Sequence, residues 1–214
     1  MDICPTGALA FDGYEIESIE AMEILLQDEA FYNQSQGGIT LFGGDPLFQH
    51  EFCRDVLAKC RDRNIHTAIE TSMQSTWEIL ESFIGLVDLF IVDLKFINSE
   101  EHKKYIGTHN NLILSNFKLL ADKKQNVLVR IPLIPGITAT EENLRAIARF
   151  VSDNSEGIKI ELINFNPLAV NKYRLLGREN EKLQAMKPFS ESELKKFFAI
   201  LESEGISIIK ETSK

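Results

Sequence analysis

The stretch GGITLFGGDPLFQ, residues 37–49, decides the fold because it contains a strand, a turn and the start of a helix. The apolar run Ile39–Phe42 is typical of a buried strand. Gly43 and Gly44 follow it, and Asp45-Pro46 has the residue types of an N-cap and a first helical position. Four glycines around so short a run also raise the question of which group approaches the backbone.

The same alternation of apolar runs and helical patterns continues along the chain. Six runs are predicted strands, most of them apolar on both faces as in a covered parallel sheet: Ile39–Phe42, Ile65–Glu70, Val87–Leu94, Val127–Leu133, Ile158–Phe165 and Ile206–Ile209. Three apolar stripes have helical spacing. Ile16, Ile19, Met22 and Leu26 follow one another at steps of three or four residues. The positions i, i+3, i+4 and i+7 are occupied by Cys53, Val56, Leu57 and Cys60 in the second stripe and by Leu144, Ile147, Ala148 and Val151 in the third. This order predicts one α/β domain with a parallel sheet, either barrel-like or open.

Two capping boxes, each a Ser or Thr followed three residues later by Glu, predict helix starts. Thr138 and Glu141 lie in "TATE", and Ser190 and Glu193 lie in "SESE". The first box precedes the Leu144 stripe, and the second precedes another apolar stripe that begins at Leu194. Both helices are therefore expected to begin at these boxes.

Composition and charge narrow the class of protein. The 214 residues are 44% hydrophobic and 26% charged, with a formal net charge of −9. This acidic balance argues against nucleic acid or an anionic membrane as the main partner. No apolar run is long enough to span a bilayer, and the N-terminus lacks a basic-then-apolar signal. A cytoplasmic protein is expected.

The three cysteines support neither a disulfide framework nor a complete metal site, because their number is odd and no CxxC pair is present. Cys53 and Cys60 belong to an apolar helical stripe, which predicts buried core thiols. Cys4 lies outside any such stripe, and its role stays open at this point.

Polar residues recur where the predicted strands end. In parallel α/β folds these ends meet at one edge of the sheet, where chemistry gathers. The strand-end residues are Gly43, Gly44, Asp45, Glu70, Thr71, Ser72, Asp93, Lys95, Arg130, Asn164 and Asn166. Each alone is compatible with a surface loop or a helix cap. Asp93 and Lys95 are more informative, because they interrupt the apolar run LFIVDLKFI, point to one face and are able to pair.

The glycine pairs do not form a phosphate-binding loop. Gly38 and Gly43 have the P-loop spacing, but Gly44 and Asp45 stand where Lys and Ser or Thr are required. Asp45 would repel a phosphate and attract an amine or another cation. Two hypotheses remain for this turn: a site for a positively charged group, and a tight connection from strand to helix.

Five ordered motifs resemble those of the glycyl-radical-enzyme activating enzymes, the pyruvate formate-lyase activating enzyme and its relatives, within the radical SAM superfamily. The motifs are GGITLFGGDPLFQ, HTAIETS, FIVDLK, LVRIPLIPGIT and INFNPLAVNKYRLLG, and the resemblance begins at ICPTGAL. It implies a partial (β/α)6 barrel of the radical SAM type, truncated at the N-terminus, that binds S-adenosylmethionine across its strand ends. Residues 14–214 would form the barrel core, and residues 1–13 would be the remnant of a ferredoxin-like insert.

The resemblance also implies a role for each matched residue. The methionine amino group would be held by Gly43, Gly44 and Asp45. The cofactor's carboxylate and a monovalent cation would be surrounded by Glu70, Thr71, the Ile91 backbone and Asp93. Further contacts with the cofactor would come from Ser72, Lys95, Arg130 and Asn166.

In this family a reduced four-iron–four-sulfur cluster cleaves S-adenosylmethionine, and the 5′-deoxyadenosyl radical takes hydrogen from a glycine of a partner enzyme. The implied partners are a glycyl-radical enzyme and an electron donor such as flavodoxin or ferredoxin. The cluster-binding motif CxxxCxxC is absent from the sequence, and Cys4 resembles the last cysteine of a ferredoxin-like insert. We therefore expect the C-terminal core of an activating enzyme, inactive by itself.

Three departures from the family pattern affect the predicted site. Asp45 replaces a glutamate, Met73 replaces a glycine and is expected to crowd the site, and Asn166 replaces a common histidine.

Two other functions remain as hypotheses. One is a cluster-free pseudoenzyme that binds a glycyl-radical enzyme. The other is a Schiff-base lyase with Lys95 as nucleophile, which Asp93 disfavours because it stabilises the charged amine.

Overall fold

The computed structural model describes residues 13–168, 173, 177 and 181–209. Within them, six strands form one parallel sheet: β1 Gly38–Leu41, β2 His66–Thr71, β3 Leu89–Asp93, β4 Val127–Pro132, β5 Lys159–Ile163 and β6 Ser207–Ile209. Each strand pairs with the next one along the chain, so the strand order never reverses as it does in a doubly wound sheet. The predicted partial barrel is confirmed, and the predicted strand bounds differ from the observed ones by at most two residues.

Helices connect the strands. They are α1 Ser18–Leu25, α2 Glu29–Ser35, α3 His50–Asp62, α4 Trp77–Glu81, α5 Ser99–Ile106, α6 Asn111–Asp122, α7 Glu141–Asn154, α8 Glu181–Ala185 and α9 Glu191–Ser203. Short 3₁₀ turns span Leu26–Asp28 and Pro46–Gln49. None of the described helices combines the length and the apolar character that a bilayer crossing needs.

The main hydrophobic core lies between the outer face of the sheet and these helices. Phe90, Val92 and Val129 contribute to it from the strands and are fully buried. Leu57 and Ile147 meet them from α3 and α7. This packing follows from the strand period of two, which directs every second side chain towards the helices.

The inner face of the sheet has a much smaller apolar cluster, made by Ala68, Ile91 and Leu128 with Leu89 and Ile209 against them. Residues two further along the same strands share this face, because side chains alternate along a strand. These next residues are Glu70, Asp93, Arg130 and, on β5, Glu161, which the register aligns with Arg130. The inner face therefore has an apolar floor and a charged rim at the carboxyl ends of the strands.

The predicted core thiols are confirmed. Cys53 and Cys60 are free and buried, with Val56 and Leu57 on the same buried stripe of α3. Burial raises the pKa of Cys60 to about 11. It also raises the pKa of Cys53, with the charge of Asp45 as a second cause. Neither thiol is poised to react as a thiolate at neutral pH. Cys4 lies outside the described residues.

One predicted helix start is confirmed. At α9 the Ser190 backbone N–H donates to Glu193 Oε2 at 2.8 Å, and the Ser190 hydroxyl accepts from the Glu193 N–H at 3.4 Å. These two bonds are the reciprocal pair of a capping box.

The capping box predicted at Thr138 and Glu141 is wrong. Helix α7 begins two residues later than predicted, with Thr140 as the N-cap, whose hydroxyl accepts from the Asn143 N–H at 3.2 Å. The Thr138 hydroxyl is buried inside the loop after β4, where it accepts from the Ile134 N–H at 2.8 Å. Because the Thr138 hydroxyl is bonded within the loop, it does not cap the helix.

Candidate functional site

The loop after β1 presents an open stretch of backbone. Gly43 has φ +96° and Gly44 has φ +24°, both in the left-handed region that favours glycine. A Cβ atom at either position would meet nothing within 4 Å. The glycines are therefore explained by backbone conformation, and they leave the peptide groups accessible to a ligand.

Asp45 joins this loop to the end of β2. Its Oδ1 accepts from the Leu47 N–H at 3.2 Å, which makes it the predicted N-cap. The Thr71 hydroxyl also donates to Oδ1, at 2.9 Å, while the Ser72 N–H and hydroxyl donate to Oδ2 at 2.9 and 2.6 Å. The carboxylate is thus engaged by protein donors, and it holds the two strand-end loops in a fixed relation while adding negative charge.

Arg130 lies between two carboxylates on the inner face. Its Nη1 donates to Glu70 Oε2 at 2.7 Å, and its Nε donates to Glu161 Oε2 at 2.6 Å. Burial opposes the guanidinium charge, but the hydrogen bond that Arg130 donates to Glu161 and the charges of Glu161, Glu70 and Asp93 outweigh it, so the pKa of Arg130 is raised. Arg130 therefore stays charged and links β2, β4 and β5 across this face.

Asp93 and Lys95 pair as the sequence predicted. Lys95 Nζ lies 2.9 Å from Asp93 Oδ2, and the two side chains keep 27% and 29% of their surface exposed. Partial exposure leaves both groups accessible to a ligand from the solvent side.

One cavity brings most of the predicted site together. It measures about 190 Å³ and is lined by Gly43, Gly44, Asp45, Glu70, Thr71, Ser72, Asp93 and Lys95. Ligand pockets commonly measure about 300–1,000 Å³, so this cavity has the size for part of a ligand, such as an amino-acid moiety. Arg130 contacts the cavity through Glu70.

Asn166 is not among the residues that line the cavity. It is exposed, and its Oδ1 accepts from the Leu168 N–H at 2.9 Å, which closes a local turn. Its predicted contact with the cofactor therefore has no geometric support from the described residues.

The charge balance of the site favours a cationic ligand. Four carboxylates, those of Asp45, Glu70, Asp93 and Glu161, lie around two cations, Lys95 and Arg130. An excess of negative charge in a partly desolvated cleft attracts positive groups. S-adenosylmethionine carries an ammonium and a sulfonium besides its carboxylate, so the residues fit this cofactor.

The expectation that Met73 crowds the site is wrong. Its side chain is fully buried in the main hydrophobic core, on the helix side of the sheet. Its backbone adopts φ +58°, and its N–H donates to Thr71 Oγ1 at 2.9 Å. Met73 therefore takes the left-handed backbone that glycine provides more easily, and directs its side chain away from the cavity.

Metal ligands are scarce in the part of the chain that the structure describes. No group of three His, Cys, Asp or Glu side chains there is placed to hold a metal ion. Glu70 and Asp93, predicted around a monovalent cation, are paired with Arg130 and Lys95. The described residues therefore do not fit the iron–sulfur cluster, and the monovalent cation stays a prediction.

Glu161 is the site residue that the sequence reading missed. Only 11% of its side chain is exposed, and it pairs with Arg130. A signal was present, because Glu161 interrupts the apolar run IKIELINF as Asp93 interrupts LFIVDLKFI. A charge within a buried strand needs a partner.

Comparison with known families gives an independent result. Residues 4–151 match the radical SAM superfamily. The choline trimethylamine-lyase activating enzyme of Oleidesulfovibrio alaskensis is 37% identical over 178 residues, covering 82% of this chain and 57% of the relative. The benzylsuccinate synthase activating enzyme of Thauera aromatica is 38% identical over 175 residues, covering 81% and 53%. The chain thus spans little more than half the length of these relatives.

Comparison with solved structures also indicates a radical SAM fold. A domain of the pyruvate-formate lyase-activating enzyme from Bacteroides vulgatus superposes with a TM-score of 0.67 at 28% identity, over 81% of this chain and 98% of that domain. A radical SAM methyltransferase from Sphaerobacter thermophilus gives 0.66 at 16% identity, over 96% of this chain and 60% of the other, and supports the fold alone. The chain therefore belongs to the radical SAM superfamily and is related to its glycyl-radical-enzyme activating enzymes, as its motifs predicted.

Proposed function

We propose that this chain is the S-adenosylmethionine-binding core of an enzyme that activates a glycyl-radical enzyme, of the pyruvate formate-lyase type or a related one. One observation carries the proposal: eight residues chosen from the motifs line a single cavity with an excess of carboxylates. The activating enzymes to which the chain is similar support the partner class.

The polar residues of the cavity divide between the charged groups of the cofactor. The ammonium binds at Gly43, Gly44 and Asp45, where backbone oxygens and a carboxylate stabilise positive charge. The sulfonium is favoured by the remaining carboxylates of the site. Lys95 is the cation that faces the cavity, and it attracts the cofactor's carboxylate.

The cofactor's carboxylate meets a difficulty beside Glu70 and Asp93, because like charges repel. A monovalent cation held by Glu70, Thr71, the Ile91 backbone and Asp93 would offset that repulsion. The register supports this grouping, since Glu70 lies opposite Ile91 in the sheet and Asp93 follows two residues later.

When bound by these residues and reduced by one electron from the electron donor, S-adenosylmethionine would supply the 5′-deoxyadenosyl radical, with methionine as the other product, and the radical would remove a hydrogen atom from the partner's glycine. The described residues provide its binding and orientation, and no step through an iron–sulfur cluster follows from them. The proposal also includes a flavodoxin or ferredoxin as the electron donor. It places the protein in the cytoplasm.

The Schiff-base lyase hypothesis is weaker. A nucleophilic lysine must lose its proton, whereas the ion pair with Asp93 at 2.9 Å stabilises the charged ammonium of Lys95.

Calorimetric titration with S-adenosylmethionine tests the proposal. We expect binding to the wild type and to Asp122→Ala, an exposed acid on α6 that serves as the matched control. Asp93→Ala removes a carboxylate that favours the sulfonium and that would hold the proposed monovalent cation, so its affinity should fall at least about tenfold. S-adenosylhomocysteine, which lacks the sulfonium charge, should bind the wild type more weakly. Absence of binding to the wild type, or equal affinity for Asp93→Ala, contradicts the proposal.

A further inference from the structure

Three buried asparagines hold the strand-end loops from the helix side. Asn110, Asn116 and Asn143 expose 1%, 1% and 5% of their surface. Each donates both hydrogens of its side-chain amide to backbone carbonyls of a loop. A buried amide costs free energy unless it is hydrogen-bonded, so loss of these bonds would destabilise the loops.

Asn143 joins two of these loops. Its Nδ2 donates to the Lys95 carbonyl at 2.9 Å and to the Thr138 carbonyl at 3.0 Å. The residue lies in the first turn of α7, and its N–H is itself held by the Thr140 hydroxyl. The loop after β3 is thus fastened to the start of α7 at the residue whose ammonium faces the cavity.

The chain on either side of Lys95 is also held. The Leu94 N–H donates to the Arg130 carbonyl at 3.0 Å, which continues the pairing of β3 with β4. The Phe96 and Ile97 carbonyls accept from Asn110 Nδ2 at 2.8 and 3.0 Å. At Lys95 itself, Asn143 supplies the side-chain bond to the carbonyl.

Asn116 provides a matched comparison. Its Nδ2 also donates to two carbonyls, those of Met73 at 2.9 Å and Ser75 at 2.8 Å, and it is also buried. Its bonds fasten the loop after β2 and do not involve Lys95. Loss of either amide leaves two carbonyls without their donor, so the two substitutions should lower global stability by similar amounts.

We propose that Asn143 is a positioning residue that sets the Lys95 ammonium at the cavity. It acts through the Lys95 backbone, because a side chain with four rotatable bonds reaches a defined point only when its Cα is fixed. This inference rests on the proposed function, since the value of a fixed ammonium is the binding of the cofactor's carboxylate.

A double-mutant cycle tests the coupling. Asn143→Ala and Lys95→Met should each weaken S-adenosylmethionine binding about tenfold, and the double variant should be no weaker than Lys95→Met alone. Asn116→Ala should combine with Lys95→Met additively, because it acts on another loop. Additivity of Asn143→Ala with Lys95→Met overturns the inference.

A second readout does not depend on cofactor binding. Under native conditions, reductive methylation of Lys95, measured by peptide mass spectrometry, should be several-fold faster in Asn143→Ala than in the wild type or Asn116→Ala. If Asn143→Ala does not fold, Asn143→Ser replaces it, because the hydroxyl keeps one donor and should give an intermediate rate. Equal labelling in the Asn143 and Asn116 variants contradicts the inference. A wild type that binds no S-adenosylmethionine refutes the proposed function, while the labelling still decides this inference.

Discussion

The two faces of the sheet are built from the same strands, but one forms the hydrophobic core and the other carries the charged residues of the candidate site. On β3 and β4 the outer face presents Phe90, Val92 and Val129, all fully buried against helices. The inner face of these strands presents Asp93 and Arg130, which keep more than a quarter of their side-chain surface exposed. Because neighbouring residues alternate between the faces, one strand supplies both stability and chemistry. Substitutions should therefore separate the two properties residue by residue.

The largest expected loss of stability comes from a substitution on the outer face. Phe90→Ala should lower the free energy of unfolding by about 3–5 kcal/mol, because it opens a cavity in a close-packed core. Its neighbour Leu89, half-buried on the inner face, is the matched control, and Leu89→Ala should cost only about 1–2 kcal/mol. Urea unfolding measures both values. Equal losses would contradict the division between the faces.

The next effect concerns the charged rim of the inner face. Arg130→Met should cost about 2–3 kcal/mol, because Glu70 and Glu161 lose their common partner and repel each other. Adding Glu161→Gln to that variant should restore part of the loss, since it removes one of the facing charges. Urea unfolding of the single and double variants measures the recovery. A double variant less stable than Arg130→Met would show that the rim is held by packing instead.

Met73 tests the boundary between the two faces. Met73→Gly should lose buried side-chain contacts and gain relief from the left-handed backbone, with a net destabilisation of about 2 kcal/mol. The affinity for S-adenosylmethionine should stay unchanged, because the side chain lies in the outer core. Parallel unfolding and calorimetry check this separation. Tighter binding by Met73→Gly would mean that the side chain does obstruct the cavity.

The smallest effect lies at the outer surface, where Glu204 joins α9 to α7. Bonds from Arg149 and Arg145 lower the pKa of Glu204 in the folded state. Its contribution to stability is therefore complete above the pKa of an unfolded glutamate, about 4.3, and is lost as the pH falls through the lower folded pKa. The unfolding midpoint of Glu204→Gln should lie below that of the wild type at pH 7, and the two should converge in acid. Glu156→Gln, at an exposed position, is the control.

The local sequence pattern was sufficient to predict much of the fold of this molecule. The strand runs, the α3 stripe and the Ser190 capping box depend on residues within a few positions of one another, so periodicity and residue type predict them. The edge of the sheet at which Gly43, Thr71 and Asp93 meet was also predictable, because parallel strands all end on one side. The motif resemblance added the identity of the family.

Tertiary structure alone decided how these residues are joined. Arg130 finds Glu70 and Glu161 at separations of 60 and 31 residues, through the register of β2, β4 and β5. No local pattern carries that information, because a shift of register by one residue would turn each of these side chains to the other face. The direction of Met73 was likewise settled by the space available in the core, and the use of Thr138 by the closure of its own loop. The sequence determined which residues reach the strand ends, and packing and register determined which of them contact one another.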